Sequence, residues 1–499
     1  MTRLNHVSMP GAALAGDERA DDEPADAAIA GRQATGQDLA TWQGNVQPDV
    51  EAVAGQLVDP RPSRHQTATG GQTALRRQNL SRALREVHLG GPLSRSDLAS
   101  RLGVNRSTVG SLVSELAERG LVAERAPVAR MAPGRPSPVV EPRPDGPVVL
   151  AAEIATDSLA AAVVGLGGSI VRSRRVDRTR AWRSPADTVN DLAGVAMALL
   201  EADGTDSLPG QSLLAVGVSI PGLVRRDDGF VHIAPNLGWH GAPLAQLMRE
   251  RLRLGVPVLV GNDADLAALA EHTRGAGVGR TDFICLWGEA GMGAGIVAGG
   301  RRLTGSAGYA GEVGHMPVNP DGIACHCGSR GCWETEVGED ALLRNAGMRS
   351  TGGGRAALEA LFAAADRGDD EALTAINTVG RWLGVGLAGL VNVFNPSSVA
   401  LGGLYARLYP YVFHAVAQAL EERTMPALRD GVELVPAALG TDSVLLGAAE
   451  LAFAPTIADP TLVPRRGAHH RRPAPSEVVP GRHTIAQDQG GEPAAQRTA

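Results

Sequence analysis

The stretch from Gly288 to Glu334 decides the fold, and it reads GEAGMGAGIVAGGRRLTGSAGYAGEVGHMPVNPDGIACHCGSRGCWE. It contains a glycine-rich turn, an EVGH motif and three of the four cysteines of the chain. Three thiolates and one imidazole form the donor set of a closed, structural Zn²⁺ site, here His315, Cys325, Cys327 and Cys332. The alternatives are a chance cluster or a disulfide. No signal peptide opens the chain, so we expect a cytoplasmic protein with reduced thiols. Cys285 stands alone in FICLW and is expected to be a buried strand residue.

Carboxylates flank the predicted metal loop. Glu312 precedes His315 by three residues, so one helical turn places both on one face, and Glu334 follows the last cysteine by two residues. Two anchored carboxylates suit a polyhydroxylated ligand, because each accepts hydrogen bonds from hydroxyl groups. Glycines alternate from Gly291 to Gly295 after the apolar run FICLW, which indicates either close approach to a ligand or a hairpin turn.

The succession of glycines, EVGH and CHCGSRGCWE resembles the signature of the ROK family, which contains repressors, open reading frames and sugar kinases. The resemblance covers about residues 148–455. It implies an α/β domain with the two-lobed actin-like, hexokinase-like (ribonuclease H-like) ATPase fold. It also implies a sugar site in the cleft, formed by Asn236, Asn262, Asp263, Glu312, His315 and Glu334. From the residues alone, Asn262 and Asp263 could instead cap a helix.

Composition divides the remainder of the chain into three segments. Residues 1–70 contain five Arg and ten acidic residues, which gives a net charge of -5, and residues 464–499 are similarly polar. We expect both segments to be disordered. Residues 71–140 contain eleven Arg and five acidic residues, a net charge of +6. This reversal of charge is typical of a nucleic-acid-binding domain.

The basic segment contains LSRSDLASRLGVNRSTVGSLVSELAERGLV. Ser94 or Ser96 can cap a first helix, Gly103 can end it, and Asn105 can cap a second. With an earlier helix from about Leu75 to His88, these spacings predict a winged helix-turn-helix whose strands are LVAER and PSPVVEP. The alternatives are a helical hairpin with a polar face and, for the wing tip, a plain linker turn. The predicted DNA contacts are Asn105, Arg106, Ser107, Thr108, Ser111 and Arg135.

The first turn of the second domain departs from the kinases of the family. Those kinases carry an Asp and a Gly-Gly-Thr there, which help to hold magnesium and admit the ATP phosphates. Here the turn from Glu153 to Asp157 has no glycine. If the protein is a kinase, Asp263 is the expected catalytic base. If it is not a kinase, we predict no catalytic residue. The alternative is an ATP-dependent hexose kinase with an appended DNA-binding domain, and a second alternative is a DNA-binding protein with a relic sugar site.

Together these features predict a sugar-responsive repressor of carbohydrate-metabolism genes. Its expected partners are operator DNA and a sugar or sugar phosphate. We expect a homodimer or homotetramer, because two-fold symmetry doubles the length of DNA that is recognised. No apolar run is long enough to span a membrane, so we expect a cytoplasmic protein that associates with the nucleoid when bound to DNA.

Overall fold

The computed structural model describes residues 68–126, 137–201, 212–348 and 354–466, all within one compact unit, Ala54–Ala499. Most of the two segments expected to be disordered, and the wing tip with Arg135, lie outside the described residues. Residues 68–70 were expected to be disordered and instead begin a helix. At the other end, Arg466 N–H donates to the carbonyl of Glu118 at 2.7 Å, so the first residues of the predicted tail contact the N-terminal domain.

The N-terminal domain is a winged helix-turn-helix, as predicted. Its elements are α1 (Ala68–Gly90), β1 (Leu93–Ser94), α2 (Arg95–Leu102), α3 (Arg106–Glu118), β2 (Val122–Arg125) and β3 (Val139–Pro142). Ser94 Oγ accepts the Asp97 N–H at 3.0 Å and Asn105 Oδ1 accepts the Thr108 N–H at 2.8 Å, which confirms both predicted N-caps. Gly103 ends α2 with a left-handed φ of 67°. Strand β3 pairs with β1 and β2 and completes the wing.

The first lobe of the second domain is built on a five-stranded sheet of order β11-β7-β4-β5-β6. Its strands are β4 (Val148–Ile154), β5 (Ser158–Gly165), β6 (Ile170–Asp177), β7 (Leu213–Ile220) and β11 (Val258–Asn262). A small sheet extends toward the cleft and contains β8 (Leu223–Arg225), β9 (Phe230–Ala234) and β10 (Trp239–Ala242). The apolar core lies between the large sheet and the helices α4 (Pro185–Leu200), α5 (Leu244–Leu252) and α13 (Ser443–Ala458).

The second lobe repeats this plan with a sheet of order β14-β13-β12-β15-β16. Its strands are β12 (Phe283–Gly288), β13 (Met292–Ala298), β14 (Arg301–Arg302), β15 (Ser398–Gly403) and β16 (Glu433–Pro436). The helices that cover it are α7 (Trp333–Val337), α8 (Glu339–Asn345), α9 (Arg355–Asp366), α10 (Asp370–Phe394), α11 (Leu404–Arg423) and α12 (Pro426–Arg429). No helix in the described ranges combines the length and apolarity that crossing a membrane requires.

Helix α6 (Asp263–Arg274) lies between the two lobes and packs on α13, β12 and β13. The alternating glycines of β13 make this packing possible. A Cβ at Gly293 would lie 2.6 Å from the Cβ of Ala264, and one at Gly295 would lie 2.1 Å from the Cβ of Ala268. The glycines therefore lie in a strand of a hairpin and allow that strand to pack closely on a helix. A hairpin was one of the two structures expected from their pattern.

Candidate functional site

A cleft between the lobes brings together all six residues that we expected to bind sugar. Its walls enclose about 1160 Å³, including open solvent. The small sheet contributes Asn236, which follows β9, and the junction of β11 and α6 contributes Asn262 and Asp263. The second lobe contributes Glu312, His315 and Glu334. Both lobes therefore line one cleft, which is where a ligand can influence their relative position.

Asn262 is a helix cap as well as a cleft residue. Its Oδ1 accepts the Asp265 N–H at 3.0 Å, and its Nδ2 donates to the carbonyl of Gly222 at 3.1 Å. Both polar ends of the side chain are therefore engaged within the protein, and Asn262 fixes the start of α6. The neighbouring Asp263 keeps one oxygen available, because only its Oδ1 accepts the Ala264 N–H at 2.9 Å.

Glu334 is anchored by a backbone N–H group and lies beside the metal loop. Its Oε2 accepts the Met292 N–H at 3.1 Å, and its Oε1 lies 3.8 Å from Cys325 Sγ. A Cβ at Gly291 would lie 2.6 Å from Glu334 Oε2, so a glycine is required there for this carboxylate to face the cleft. The glycine-rich turn thus positions Glu334, which follows the last residue of the metal cluster, Cys332, by two positions.

Burial raises the pKa of several acids in the cleft. Desolvation, with a further contribution from the charge of Glu153, raises the pKa of Asp263 to about 6. Desolvation also raises the pKa of Glu312 to about 7, with contributions from Asp263, Asp265 and Glu334. Shifts of this kind are concentrated at functional sites, where acids are brought together away from water.

Glu289 and Arg175 are two residues that the sequence analysis missed. Glu289 lines the cleft, and desolvation together with the charges of Glu153 and Asp263 raises its pKa to about 8. Arg175 donates to Glu153 Oε2 at 2.8 Å and to Ser158 Oγ at 3.0 Å. The position of Glu289, an acid within the glycine-rich turn, was a signal from which it could have been predicted. Arg175 carries no such local signal, because its partner lies on another strand.

The four predicted metal ligands meet at one point. All ligand atoms of His315, Cys325, Cys327 and Cys332 lie within 4.8 Å of one another. Cys325 Sγ lies 3.7 Å from His315 Nδ1, and the sulfurs of Cys327 and Cys332 are 3.6 Å apart. A tetrahedral ion with metal–sulfur bonds of about 2.3 Å separates its ligands by about 3.8 Å, so these residues fit a single ion.

His315 lies between the metal cluster and the cleft. Its Nδ1 faces Cys325, whereas its Nε2 is 3.9 Å from Glu312 Oε2. One ring can therefore contact a metal ion with one nitrogen and face the cleft with the other. Cys285 is fully buried in β12, away from the cluster, as expected.

The predicted DNA-contacting residues of α3 lie on its N-terminal end. Asn105, Arg106, Ser107 and Ser111 are exposed, and Thr108 is half-buried. Ser107 Oγ donates to Asn105 Oδ1 at 2.8 Å, while Ser111 Oγ accepts from Arg76 at 3.2 Å. In the described part of the chain, the side chain of Arg106 has neither an ion pair nor a hydrogen bond. Arg106 is therefore available to an external ligand.

Comparison with known proteins agrees with this geometry. The ROK family model matches residues 149–454, and the MarR family model matches residues 78–130. A xylose repressor of Bacillus spizizenii is 27% identical over 376 residues, which cover 75% of this chain and 95% of the repressor. A glucokinase of Streptomyces coelicolor is 30% identical over 325 residues, which cover 62% of this chain and 98% of the kinase.

A solved structure extends this similarity to both domains. The crystal structure of a ROK family transcriptional regulator, a homologue of the E. coli MLC protein, matches with a TM-score of 0.64 and 25% identity. The match covers 77% of this chain and 97% of the regulator. It is therefore longer than the ROK region alone and includes part of the winged helix-turn-helix.

Proposed function

This chain belongs to the ROK family, and we propose that it is a sugar-responsive transcriptional repressor of carbohydrate-metabolism genes. The observation that carries the proposal is that α6 connects the cleft with the DNA-binding domain. Helix α6 begins at Asp263 in the cleft and ends at Arg274, which contacts α1. Its 12 residues span about 18 Å.

The contact between the domains is a buried cluster of charged and polar groups. His88 of α1 lies with its Nε2 3.0 Å from Glu450 Oε2 of α13, and Arg274 Nε donates to Glu450 Oε1 at 2.7 Å. The Gly167 N–H donates to His88 Nδ1 at 3.0 Å. The His88 side chain is fully buried. Separating these groups would therefore leave buried polar and charged atoms without partners, which is energetically costly. A movement of α6 is therefore transmitted to α1.

A sugar that binds more tightly to one arrangement of the lobes, open or closed, would favour that arrangement. The resulting shift of α6 would alter the affinity for the operator. We propose Asn236, Asp263, Glu312, His315 and Glu334 as its hydrogen-bonding partners, with Asn262 fixing the helix. Residues 71–140 then form the DNA-binding domain and residues 148–455 the sugar-binding domain. A homodimer or homotetramer in the cytoplasm, associated with the nucleoid, would present two recognition helices to a symmetric operator.

For the metal cluster we propose Zn²⁺. Three thiolates and an imidazole suit Zn²⁺ better than Mg²⁺ or Ca²⁺, which prefer oxygen ligands. A closed set of four protein ligands leaves no position for water or substrate, so the ion would stabilise the loop without taking part in chemistry. Its effect on the cleft is indirect, because the loop carries Cys325 next to Glu334.

We further propose that the protein does not phosphorylate sugar. Phosphoryl transfer requires the phosphates and magnesium to be positioned and neutralised. Here Glu153 is already paired with Arg175, and Arg178 donates to the carbonyl of Ala155 at 2.7 Å. The arginines therefore fix the first turn in place of phosphates.

Two assays on the zinc-loaded protein test these proposals. In a thermal-shift screen against hexoses, pentoses and their phosphates, a ligand of the native state should raise the midpoint. In an ATP-coupled assay with magnesium and the same sugars, we expect no turnover. Sugar-dependent ADP release that disappears in Asp263→Asn would establish the kinase alternative. The absence of any stabilising sugar would contradict the sugar response.

A further inference from the structure

Two arginines from different lobes line the same cleft. Arg226 follows β8 in the first lobe, and Arg302 ends β14 in the second lobe. Both line the cleft and both are half-buried. Across the described ranges, neither side chain has a hydrogen bond or an ion pair within 4.0 Å. Arginines with buried stems and no partner are uncommon, since a buried charge is normally paired.

The charged groups around this pair act on it without bonding to it in the described part of the chain. Burial, with a further contribution from the charge of Arg302, lowers the pKa of Arg226. Asp227 acts on Arg226, and Asp265 acts on both guanidinium groups. Its Oδ1 is buried and has no hydrogen-bond partner among the described residues. Neither acid lies within ion-pair distance of Arg226 or Arg302 in the described ranges, so the guanidinium groups keep their donors available to a ligand in the cleft.

We propose that the effector is a sugar carrying an anionic group, phosphate or carboxylate, and that Arg226 and Arg302 bind this group together. The inference rests on the proposed sugar site. The acidic wall would accept hydrogen bonds from the ring hydroxyls, whereas the arginine pair would bind the anion. Guanidinium groups suit this role because they bind phosphate and carboxylate through two parallel hydrogen bonds.

The position of the pair also provides a means of closing the cleft. In the absence of a ligand, Arg226 and Arg302 hold opposite lobes under mutual repulsion. An anion between them replaces that repulsion with two attractions, and both can form only when the lobes approach. The anionic group would therefore bind the closed arrangement preferentially, which is the differential affinity that a conformational response requires.

Neighbouring residues supply a matched control. Arg301 immediately precedes Arg302 and is exposed, and it does not line the cleft. Arg226→Gln and Arg302→Gln remove one charge each from the pair, whereas Arg301→Gln removes the same charge from the surface. The two test variants are independent, so either one can be used if the other fails to fold.

The experiment is calorimetric titration of the full chain with glucose, glucose 1-phosphate, glucose 6-phosphate and glucuronate. N-acetylglucosamine and its 6-phosphate form a second series, and inorganic phosphate controls for binding of a bare anion. At least one anionic derivative should bind about tenfold or more tightly than its parent sugar, since each hydrogen bond between charged groups contributes about that factor. Arg226→Gln and Arg302→Gln should lose this advantage and keep the affinity for the parent sugar, and Arg301→Gln should resemble the wild type. Comparing the sugar phosphates with glucuronate shows whether the bound anionic group is a phosphate or a carboxylate.

The inference is overturned if every parent sugar binds as tightly as its anionic derivatives, or if the advantage survives in both cleft variants. It is also overturned if inorganic phosphate alone binds as tightly as the sugar derivatives. A parent sugar that binds without any anionic preference leaves the proposed sugar site intact. An anionic sugar that binds through the pair but leaves operator affinity unchanged would instead contradict the proposed function.

Discussion

Arg106 is exposed just after the Asn105 cap, at the end of α3 that enters the major groove in a helix-turn-helix. We expect Arg106→Ala to weaken operator binding by about 1–3 kcal/mol, as for loss of a base or phosphate contact. Quantitative footprinting measures this change. Arg249→Ala removes an exposed arginine from α5 and should leave operator affinity unaltered. Equal protection by Arg106→Ala and wild type would show that the recognition helix has been misplaced.

Glu289 should make stability depend on pH. Burial and the neighbouring acids raise its pKa from an ordinary 4.5 to about 8. Between these values the unfolded chain has lost a proton that the folded protein keeps, so the free energy of unfolding falls as pH rises from about 5 to about 8. Glu289→Gln cannot lose a proton, and its melting temperature should fall less over this interval than that of the wild type. Identical pH profiles would contradict the burial of this acid, and Glu250→Gln on the surface of α5 is the control.

The metal loop is an element whose shape depends on its ligands. Cys327→Ser should lower zinc content well below one ion per chain and also lower the melting temperature, because metal binding is coupled to folding of the loop. Cys285→Ala is the matched control: it creates a cavity in β12 and should lower stability while retaining zinc. Elemental analysis and thermal melting distinguish the two. A wild-type melting temperature in zinc-free protein would contradict a structural role for the ion.

Helix α6 should transmit the ligand signal through its C-terminal end. Glu450→Gln keeps the shape of the side chain and removes the charge that joins His88 to Arg274. We expect the sugar-dependent thermal shift to persist, whereas the change in operator affinity on sugar binding should fall below about twofold, since the coupling depends on this contact. Glu433→Gln breaks a surface ion pair with Arg280 and serves as the control. A response of wild-type size in Glu450→Gln would exclude this route.

The molecule as a whole divides into features that the sequence predicts and features that only the folded chain creates. The caps at Ser94 and Asn105 were predictable because each bonds a backbone group three residues ahead. The metal ligands were predictable because they lie within one short stretch. The two lobes followed from the resemblance to the ROK family rather than from local pattern.

Contacts between distant segments could not be predicted in this way. His88 and Glu450 are separated by 362 residues, and nothing in either local sequence indicates the other. Arg226 and Arg302 likewise belong to different lobes, so their proximity depends on how the lobes meet. From the sequence, Gly295 could allow either close approach of a ligand or a hairpin turn. Its packing against Ala268 of α6 is visible only in the folded chain. Long-range pairs of this kind determine how the cleft is connected to the DNA-binding domain.

The most direct test of a sugar-controlled repressor is the dissociation constant for its operator with and without the sugar that stabilises it. The operator is first selected from genomic fragments by binding, and affinity is then measured by fluorescence anisotropy for wild type and Glu334→Gln. In the wild type the sugar should change the dissociation constant by about 5- to 150-fold, the usual range of coupling between two sites. Glu334→Gln should bind the operator normally and show no change, whereas Asp321→Asn, an exposed neighbour, should respond like the wild type. An operator affinity in wild type that is the same with and without the sugar would contradict the account.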